Sequence, residues 1–78
     1  MDILEKLKEA LTEAFGDEID VTVITEETDI REDLGFNSIG LLAMAVAIEE
    51  KFGFTFTNDD FANINKVGDV IDVIKARI

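Results

Sequence analysis

Hydrophobic residues recur at helical spacing near the start of the chain, over residues 2–15. The residues that share one face, four positions apart, are Ile3, Leu7, Leu11 and Phe15. This repeat predicts an amphipathic helix, because residues four apart lie on the same helix face. Gly16 follows directly, and glycine is common just past a helix C-terminus. We therefore expect a first helix that ends at Gly16.

Residues 17–37 lack a helical period. Apolar and polar residues alternate over residues 19–23, which is a strand pattern. The only other strand-like segment is residues 54–56, and we do not expect these two short segments to pair. We expect instead a long loop whose apolar residues pack onto the core, with a short helical turn at residues 29–34. Loops of this length are often functional.

A second helix is predicted over residues 38–52. Asn37 or Ser38 can cap it, since their side-chain oxygens accept the free backbone N–H groups of a first turn. Gly53 follows its last residue. Residues 39–48 are apolar almost all round the helix, so we expect it to be central in the fold.

Two further helices complete the pattern. Thr57 precedes an acidic first turn, which predicts a short third helix ending near Asn63. Asn65 is expected to cap a last helix over residues 66–77. The apolar stripe of this helix consists of Val67, Val70, Ile71 and Ile74. We therefore expect a single all-α domain over residues 1–78, a four-helix bundle with a short third helix and a long first loop.

The charge balance is strongly acidic, since 7 basic and 18 acidic residues give a net charge of −11. Nucleic acid is not an expected partner, because phosphate binding needs a basic surface. The acidic N-terminus does not resemble a signal peptide, and the apolar run at residues 39–48 is too short to span a bilayer. We expect a cytoplasmic monomer that does not associate with a membrane.

Cysteine and histidine are both absent. The chain therefore has no disulfide or zinc–thiolate site, and it lacks the usual general base and the commonest metal ligand. The acidic clusters at residues 29–33 and 59–60 do not have the ligand spacing of an EF-hand loop. We expect no catalytic residues and no metal site, with weak surface binding of calcium at most.

Candidate chemistry is concentrated in residues 33–39, Asp-Leu-Gly-Phe-Asn-Ser-Ile. This segment places Ser38 at the start of the second helix, directly after a glycine-containing loop. A helix N-terminus favours bound anions, because its free N–H groups and its dipole point at them, and a phosphodiester on Ser38 suits that field. Position alone favours the simpler interpretation that Ser38 only caps the helix, since capping serines are common.

Residues 24–39, Ile-Thr-Glu-Glu-Thr-Asp-Ile-Arg-Glu-Asp-Leu-Gly-Phe-Asn-Ser-Ile, resemble the loop and serine motif of acyl carrier proteins. Residues 49–53 and residues 65–69 are similar to two later landmarks of that family. The resemblance covers nearly the whole chain and extends to its length, its acidity and the order of its helices.

The resemblance implies a covalent 4′-phosphopantetheine arm on Ser38, attached from coenzyme A by a phosphopantetheinyl transferase. The thiol that ends such an arm holds acyl groups as thioesters and presents them to acyl-transferring or condensing enzymes. Ser38 is then an attachment point and not an activated nucleophile, because the partner enzymes supply the catalysis. The family fold is a four-helix bundle, which agrees with the fold expected from the hydrophobic pattern.

Partner recognition is expected along the second helix and just before it. The residues assigned to this role are Phe36, Asn37, Gly40, Ala43, Val46, Ala47, Glu49 and Glu50. The family usually has aspartate where this chain has Asn37, and it has acids along the exposed helix face. Helical spacing predicts that this face consists here of Gly40, Ala43, Ala47 and Glu50. Its first three residues are uncharged, so we expect partners to dock through apolar as well as basic surfaces.

Acyl chains of related carriers can enter the space between the second, third and fourth helices. The matching positions are Met44, Ile48, Phe56, Phe61, Ile64, Val70 and Val73. Phe61 stands where the family often has a small residue, and a bulky ring reshapes a close-packed interior. We therefore expect short, polar or surface-exposed cargo. In the apo protein these residues serve as core.

Several alternatives remain open at this level. The carrier could serve fatty acid biosynthesis and lipid metabolism, or it could be a specialised stand-alone carrier in secondary metabolite biosynthesis, which Asn37 and the uncharged helix face favour. Aminoacyl or D-alanyl cargo is a further alternative. A different class of function is a carrier-like helical interaction module that is never modified.

Overall fold

The computed structural model describes residues 2–78, and for Ser38 it describes the backbone but not the side chain. The helices are α1 (Ile3–Phe15), α2 (Ser38–Phe52), α3 (Asn58–Asn63) and α4 (Val67–Arg77). The loop between α1 and α2 contains two short 3-10 turns, Gly16–Glu18 and Val21–Val23. The expected all-α four-helix fold is confirmed, and the described residues contain no strand.

Local sequence chemistry defines most of the helix ends. The Asp2 carboxylate accepts the Glu5 N–H at the start of α1. Gly53 ends α2 in the left-handed region with φ 78°, where a Cβ is unfavourable and glycine is preferred. Thr57 and Asp60 form a reciprocal capping box at α3, in which each side chain accepts the backbone N–H of the other residue. These boundaries agree with the predicted helices.

One hydrophobic core joins the helices and the long loop. Its fully buried side chains include Leu7, Leu11, Ile24, Ile30, Ile48, Val67, Val70 and Ile74. Two of them, Ile24 and Ile30, belong to the loop, which confirms that loop residues pack onto the core. The Asp33 N–H donates to the Asp29 carbonyl at 2.9 Å, so residues 29–34 contain the expected helical turn.

The start of α4 is held by the backbone of the loop. The Val67 N–H donates to the Thr28 carbonyl at 2.9 Å, and the Gly68 N–H donates to the Glu26 carbonyl at 2.8 Å. These bonds satisfy amides that would otherwise need a side-chain cap. The prediction that the Asn65 side chain caps this helix is therefore wrong: Lys66 precedes the helix, and the Asp69 carboxylate accepts the N–H groups of both Asn65 and Lys66.

Among the described residues, no helix has the length and hydrophobicity that a membrane span requires.

Candidate functional site

The turn that leads into α2 is built around one carboxylate. Asp29 Oδ1 accepts the N–H groups of Arg31 and Glu32 at 2.9 and 2.8 Å. In return the Asp29 N–H donates to Asp33 Oδ2 at 2.8 Å. An aspartate that bonds the backbone two and three residues ahead stabilises a turn. This turn directs the chain from the buried Ile30 toward the first residue of α2.

Three residues then define the backbone just before Ser38. Gly35 has φ 71°, a conformation that glycine adopts without the steric cost of a Cβ. The Phe36 N–H donates to the Ile30 carbonyl at 3.2 Å. Asn37 is extended, and its Oδ1 accepts the Gly40 N–H at 2.9 Å. Of the two predicted capping residues, Asn37 therefore provides the cap, and Ser38 is the first residue of the helix.

The electrostatics of this helix start suit an anionic substituent. The first turns of α1, α3 and α4 each contain acidic residues, whereas the first turn of α2 contains none. Residues 34–48 include no charged residue at all. The positive end of the α2 dipole is thus not offset by a carboxylate of its own first turn or of the four residues before Ser38, and such a helix start favours a phosphodiester.

One face of α2 exposes large apolar side chains to solvent. Ile39 is 78% exposed, Leu42 is 56% exposed and Val46 is 53% exposed. The opposite face is buried, with Leu41, Met44, Ala45 and Ile48 in the core. The all-round apolarity of α2 therefore reflects two surfaces, one that packs in the core and one that faces solvent beside Ser38.

A model of the phosphopantetheine attachment site family matches residues 5–74 of the chain. The chain is 32% identical over 74 residues to an acyl carrier protein of Clostridium acetobutylicum, covering 95% of this chain and 94% of that protein. It is 34% identical over 76 residues to one of Exiguobacterium sp., covering 97% and 94%, and 35% identical over 72 residues to one of Saccharopolyspora erythraea, covering 92% and 74%. The chain belongs to the acyl carrier protein family.

Membership in this family defines the kind of function. Acyl carrier proteins bear a covalent 4′-phosphopantetheine group and act as carriers, so this chain is a carrier and not an enzyme. When bound, the group supplies the thiol that holds acyl groups as thioesters. The carriers of this family interact with phosphopantetheinyl transferase and with acyl-handling enzymes. The helix start described above is compatible with the group, because it combines a serine with the positive end of a helix dipole.

The residues predicted for partner recognition fall into two sets in the carrier. Those with exposed side chains are Asn37, Ala43, Val46 and Glu50, and those that are half-buried are Phe36, Gly40, Ala47 and Glu49. At about 100° per residue, Gly40 and Ala47 lie to one side of Ala43, and Ala47 borders a groove with Ala10 and Ala14 of α1. The exposed face is thus rotated away from the predicted one.

Sequence reasoning did not single out Ile39 and Leu42, which are the two most exposed large apolar residues of α2. They lie at i and i+3, with Val46 at i+7, which is the spacing of one helix face. The spacing alone contains this signal. However, α2 also has a second apolar stripe, and the sequence does not indicate which of the two stripes is buried.

Glu49 and Glu50 differ in their surroundings although both were assigned to partner recognition. Glu49 Oε2 accepts the Phe56 N–H at 2.7 Å in a partly buried bond, whereas Glu50 is exposed. Glu49 therefore ties the end of α2 to the segment that leads into α3. It has a structural contact that Glu50 does not share.

The predicted cargo-lining residues lie together in the core. Five of the seven are buried, namely Met44, Ile48, Phe56, Ile64 and Val70. Phe61 and Val73 are half-buried and pack against this cluster. The ring centroids of Phe56 and Phe61 are 5.6 Å apart, and those of Phe54 and Phe56 are 4.9 Å apart. The rings of Phe54 and Phe56, from the segment that links α2 to α3, therefore pack with the ring of Phe61 on α3.

Proposed function

We propose that the carrier bears its 4′-phosphopantetheine arm on Ser38. The observation that carries this proposal is that Ser38 is the only serine in the chain and is the first residue of α2. In the loading reaction the Ser38 hydroxyl oxygen bonds to a phosphorus of coenzyme A. The hydroxyl proton passes to a base of the transferase, and 3′,5′-adenosine diphosphate leaves. The new phosphodiester then lies at a helix start whose first turn contains no acidic residue, which favours it.

Intact mass spectrometry tests the attachment. The purified chain is incubated with coenzyme A and a broad-range phosphopantetheinyl transferase, in parallel with Ser38→Ala and Thr55→Ala. Thr55 is the matched control because it is an exposed hydroxyl residue away from the start of α2. We expect the native chain and Thr55→Ala to gain the mass of one phosphopantetheine and Ser38→Ala to gain none. If the native chain gains no mass with several transferases, the unmodified interaction module becomes the better account.

We infer that the partners of the carrier dock largely through apolar contact on α2. Ile39, Leu42 and Val46 support this, since their exposed side chains form a stripe that starts next to Ser38. Large exposed apolar patches commonly mark interaction sites. Acids are confined to the far end of this face, at Glu50. A face of this kind favours a specialised stand-alone carrier over a general fatty acid carrier, whose partners present basic surfaces.

Loading kinetics with the transferase at several salt concentrations test this docking mode. Ala43 lies within the apolar face and is exposed, so Ala43→Glu places a charge in the expected contact and should raise KM. Glu50→Ala removes the charge at the far end and should have little effect. Because salt screens exposed charges, an apolar interface predicts a weak salt dependence. A steep salt dependence together with a large loss in Glu50→Ala would show that charge directs docking.

We propose further that the cargo is short or polar and stays outside the core. Phe61 supports this, because its ring packs against Phe56 in the region where related carriers admit an acyl chain. Close-packed interiors do not admit additional groups without rearrangement.

Thioester hydrolysis measures how well the carrier protects its cargo. We expect octanoyl and acetyl thioesters on the native carrier to hydrolyse at similar rates, since neither is enclosed. Phe61→Ala should slow the hydrolysis of the octanoyl thioester alone, because it opens space between the helices. Strong protection of the octanoyl thioester on the native carrier would contradict this proposal.

A further inference from the structure

The Phe36 side chain connects the end of α1 to the first turn of α2. Its ring centroid is 5.0 Å from that of Phe15, the last residue of α1, with an interplanar angle of 30°. Aromatic pairs at this separation attract each other beyond simple burial. The Phe36 N–H is also bonded to the Ile30 carbonyl. Phe36 is thus held by both its ring and its backbone, two residues before Ser38.

Gly40 has no other evident reason to be glycine. It is the third residue of α2, it favours a helix less than alanine does, and it is not one of the three glycines with positive φ. A Cβ at Gly40 would lie 3.2 Å from Phe36 Cδ1 and 3.5 Å from both Phe36 Cβ and Phe36 Cγ. A side chain at this position would therefore press on the edge of the Phe36 ring, which would have to shift by a few tenths of an ångström.

Ser38 lies between these two residues. Phe36 is two residues before it, and Gly40 is two residues after it. The Asn37 cap closes the same turn on the Gly40 N–H. A displacement of the Phe36 ring or of the Gly40 backbone is therefore transmitted to the Ser38 backbone, because the segment between them is only three residues long.

We propose that Phe36 is a positioning residue for the attachment reaction and that residue 40 is glycine so that the Phe36 ring can hold Ser38 in place. This rests on the proposed attachment at Ser38. The contact is the pair of Phe36 with Gly40, braced by Phe15. It acts on the backbone at Ser38 and not on the docking of the transferase. Small displacements of a reacting group can reduce rates strongly.

Loading kinetics of Gly40→Ala, Phe36→Leu and the double variant test the proposal. We expect Gly40→Ala to lower the kcat of loading about ten-fold with little change in KM, because the reacting hydroxyl is displaced while the docking surface is kept. Alanine is the better helix former, so the thermal midpoint of Gly40→Ala should be no lower than that of the native chain. This result would show that the helix is intact. Phe36→Leu removes the ring that holds this turn and should by itself lower kcat. The double variant should load no more slowly than Gly40→Ala, because both substitutions break the same contact.

Phe52→Leu is the matched control. Phe52 is a half-buried ring at the opposite end of α2, and it lies under the Lys6 ammonium at 5.2 Å. We expect this variant to melt at a lower temperature and to load at the native rate. In amide spectra of the free proteins, Gly40→Ala should shift the signals of residues 37–41 and Phe52→Leu should not.

Three results would overturn the proposal. Native loading kinetics in Gly40→Ala would show that the contact does not position Ser38. A rise in KM without a fall in kcat would show that Gly40 acts by direct contact with the transferase. Both of these leave the attachment at Ser38 standing. A native chain that is not loaded at all overturns the proposed attachment, and this inference with it.

Discussion

At the scale of single residues, Asn37 caps α2 with both its side chain and its backbone. Its Oδ1 accepts the Gly40 N–H, and its carbonyl accepts the Leu41 N–H at 2.9 Å. Asparagine and aspartate cap helices about equally well, so the neutral side chain does not weaken the start of α2. The remaining difference from an aspartate is the missing charge beside Ser38.

Substitutions at Asn37 separate the cap from the charge. We expect Asn37→Ala to lower the free energy of unfolding by about 1 kcal/mol, because the Gly40 amide loses its partner. Asn37→Asp should keep the native stability, and it should load no more slowly than the native chain. Urea unfolding and loading assays of the three proteins measure this. Equal stability of Asn37→Ala and the native chain would show that the cap contributes nothing.

At this scale, sequence reasoning located the important positions better than their contacts. A cap at residue 37 or 38 follows from residue type, and Asn37 is the one used. The sequence does not explain why residue 40 is glycine, since nothing in it shows that the Phe36 ring lies against the first turn of α2. Glycine is unusual in a helix by residue type alone, but the explanation for Gly40 depends on a contact in three dimensions.

At the scale of elements, α2 is stabilised at its C-terminal end by a link to the following segment. Glu49 forms that link through the Phe56 N–H, and Glu50 next to it is exposed. Two adjacent glutamates look alike in a sequence. Only their direction around the helix distinguishes Glu49, which bonds the Phe56 N–H, from the exposed Glu50. Their roles could therefore not be assigned from the sequence.

Alanine substitutions of these two glutamates provide a matched pair. We expect Glu49→Ala to lower the free energy of unfolding by about 1–2 kcal/mol, because a partly buried amide loses a charged acceptor. Glu50→Ala should change it by less than about 0.5 kcal/mol, as is usual for exposed positions. Chemical unfolding of both variants decides the matter, and equal effects would contradict the assigned contact.

The backbone link between the long loop and α4 is the second feature at this scale. It consists of carbonyl and amide groups of residues 26–28 and 67–68. Backbone groups are the same for every residue type, so a link of this kind leaves almost no trace in a sequence. A trace remains at Gly68, where a Cβ would lie 3.0 Å from the Glu26 carbonyl oxygen.

Gly68→Ala measures how rigid this link is. Alanine favours a helix over glycine, yet we expect a net loss of about 1 kcal/mol because the added methyl must displace the backbone of the loop. Asp72→Ala, an exposed position of the same helix, serves as the control and should be neutral or stabilising. A more stable Gly68→Ala would show that the loop moves aside at little cost.

At the scale of the whole molecule, stability depends on pH through a few carboxylates. The N–H groups of Lys66 and Asn65 hold the pKa of Asp69 below its usual value. The Thr57 N–H, with smaller contributions from the Thr57 hydroxyl and Arg77, does the same for the pKa of Asp60. A carboxyl whose pKa is lower in the folded state adds stability above its unfolded pKa of about 4 and loses it as the pH falls through the folded value.

Urea unfolding at pH 7 and at pH 3 tests this dependence. We expect the native chain to be less stable at pH 3, and we expect the difference to shrink in Asp69→Asn, which no longer titrates. Asp72→Asn should keep the native difference. Protonation also relieves the repulsion of a chain with net charge −11, and the comparison of the two variants removes this common effect. An equal pH dependence in both variants would contradict the role of Asp69.

The overall fold was the most predictable level. Helical period, glycine positions and capping residues predicted four helices, and the described residues form those four. The exposed face of α2 was less predictable, because a helix that is apolar on two sides does not indicate which side is buried. The three-dimensional core shows which side of α2 is buried, and therefore which side is exposed beside Ser38.

The central claim is that one residue, Ser38, carries the arm, and peptide mapping tests it most directly. Cleavage after Arg31 and Lys51 releases residues 32–51, in which Ser38 is the only hydroxyl-bearing residue. After loading with coenzyme A and a transferase, we predict that this peptide alone gains a phosphopantetheine group, and that fragmentation places the group on Ser38. A group on any other peptide, or none on any peptide, would contradict the account.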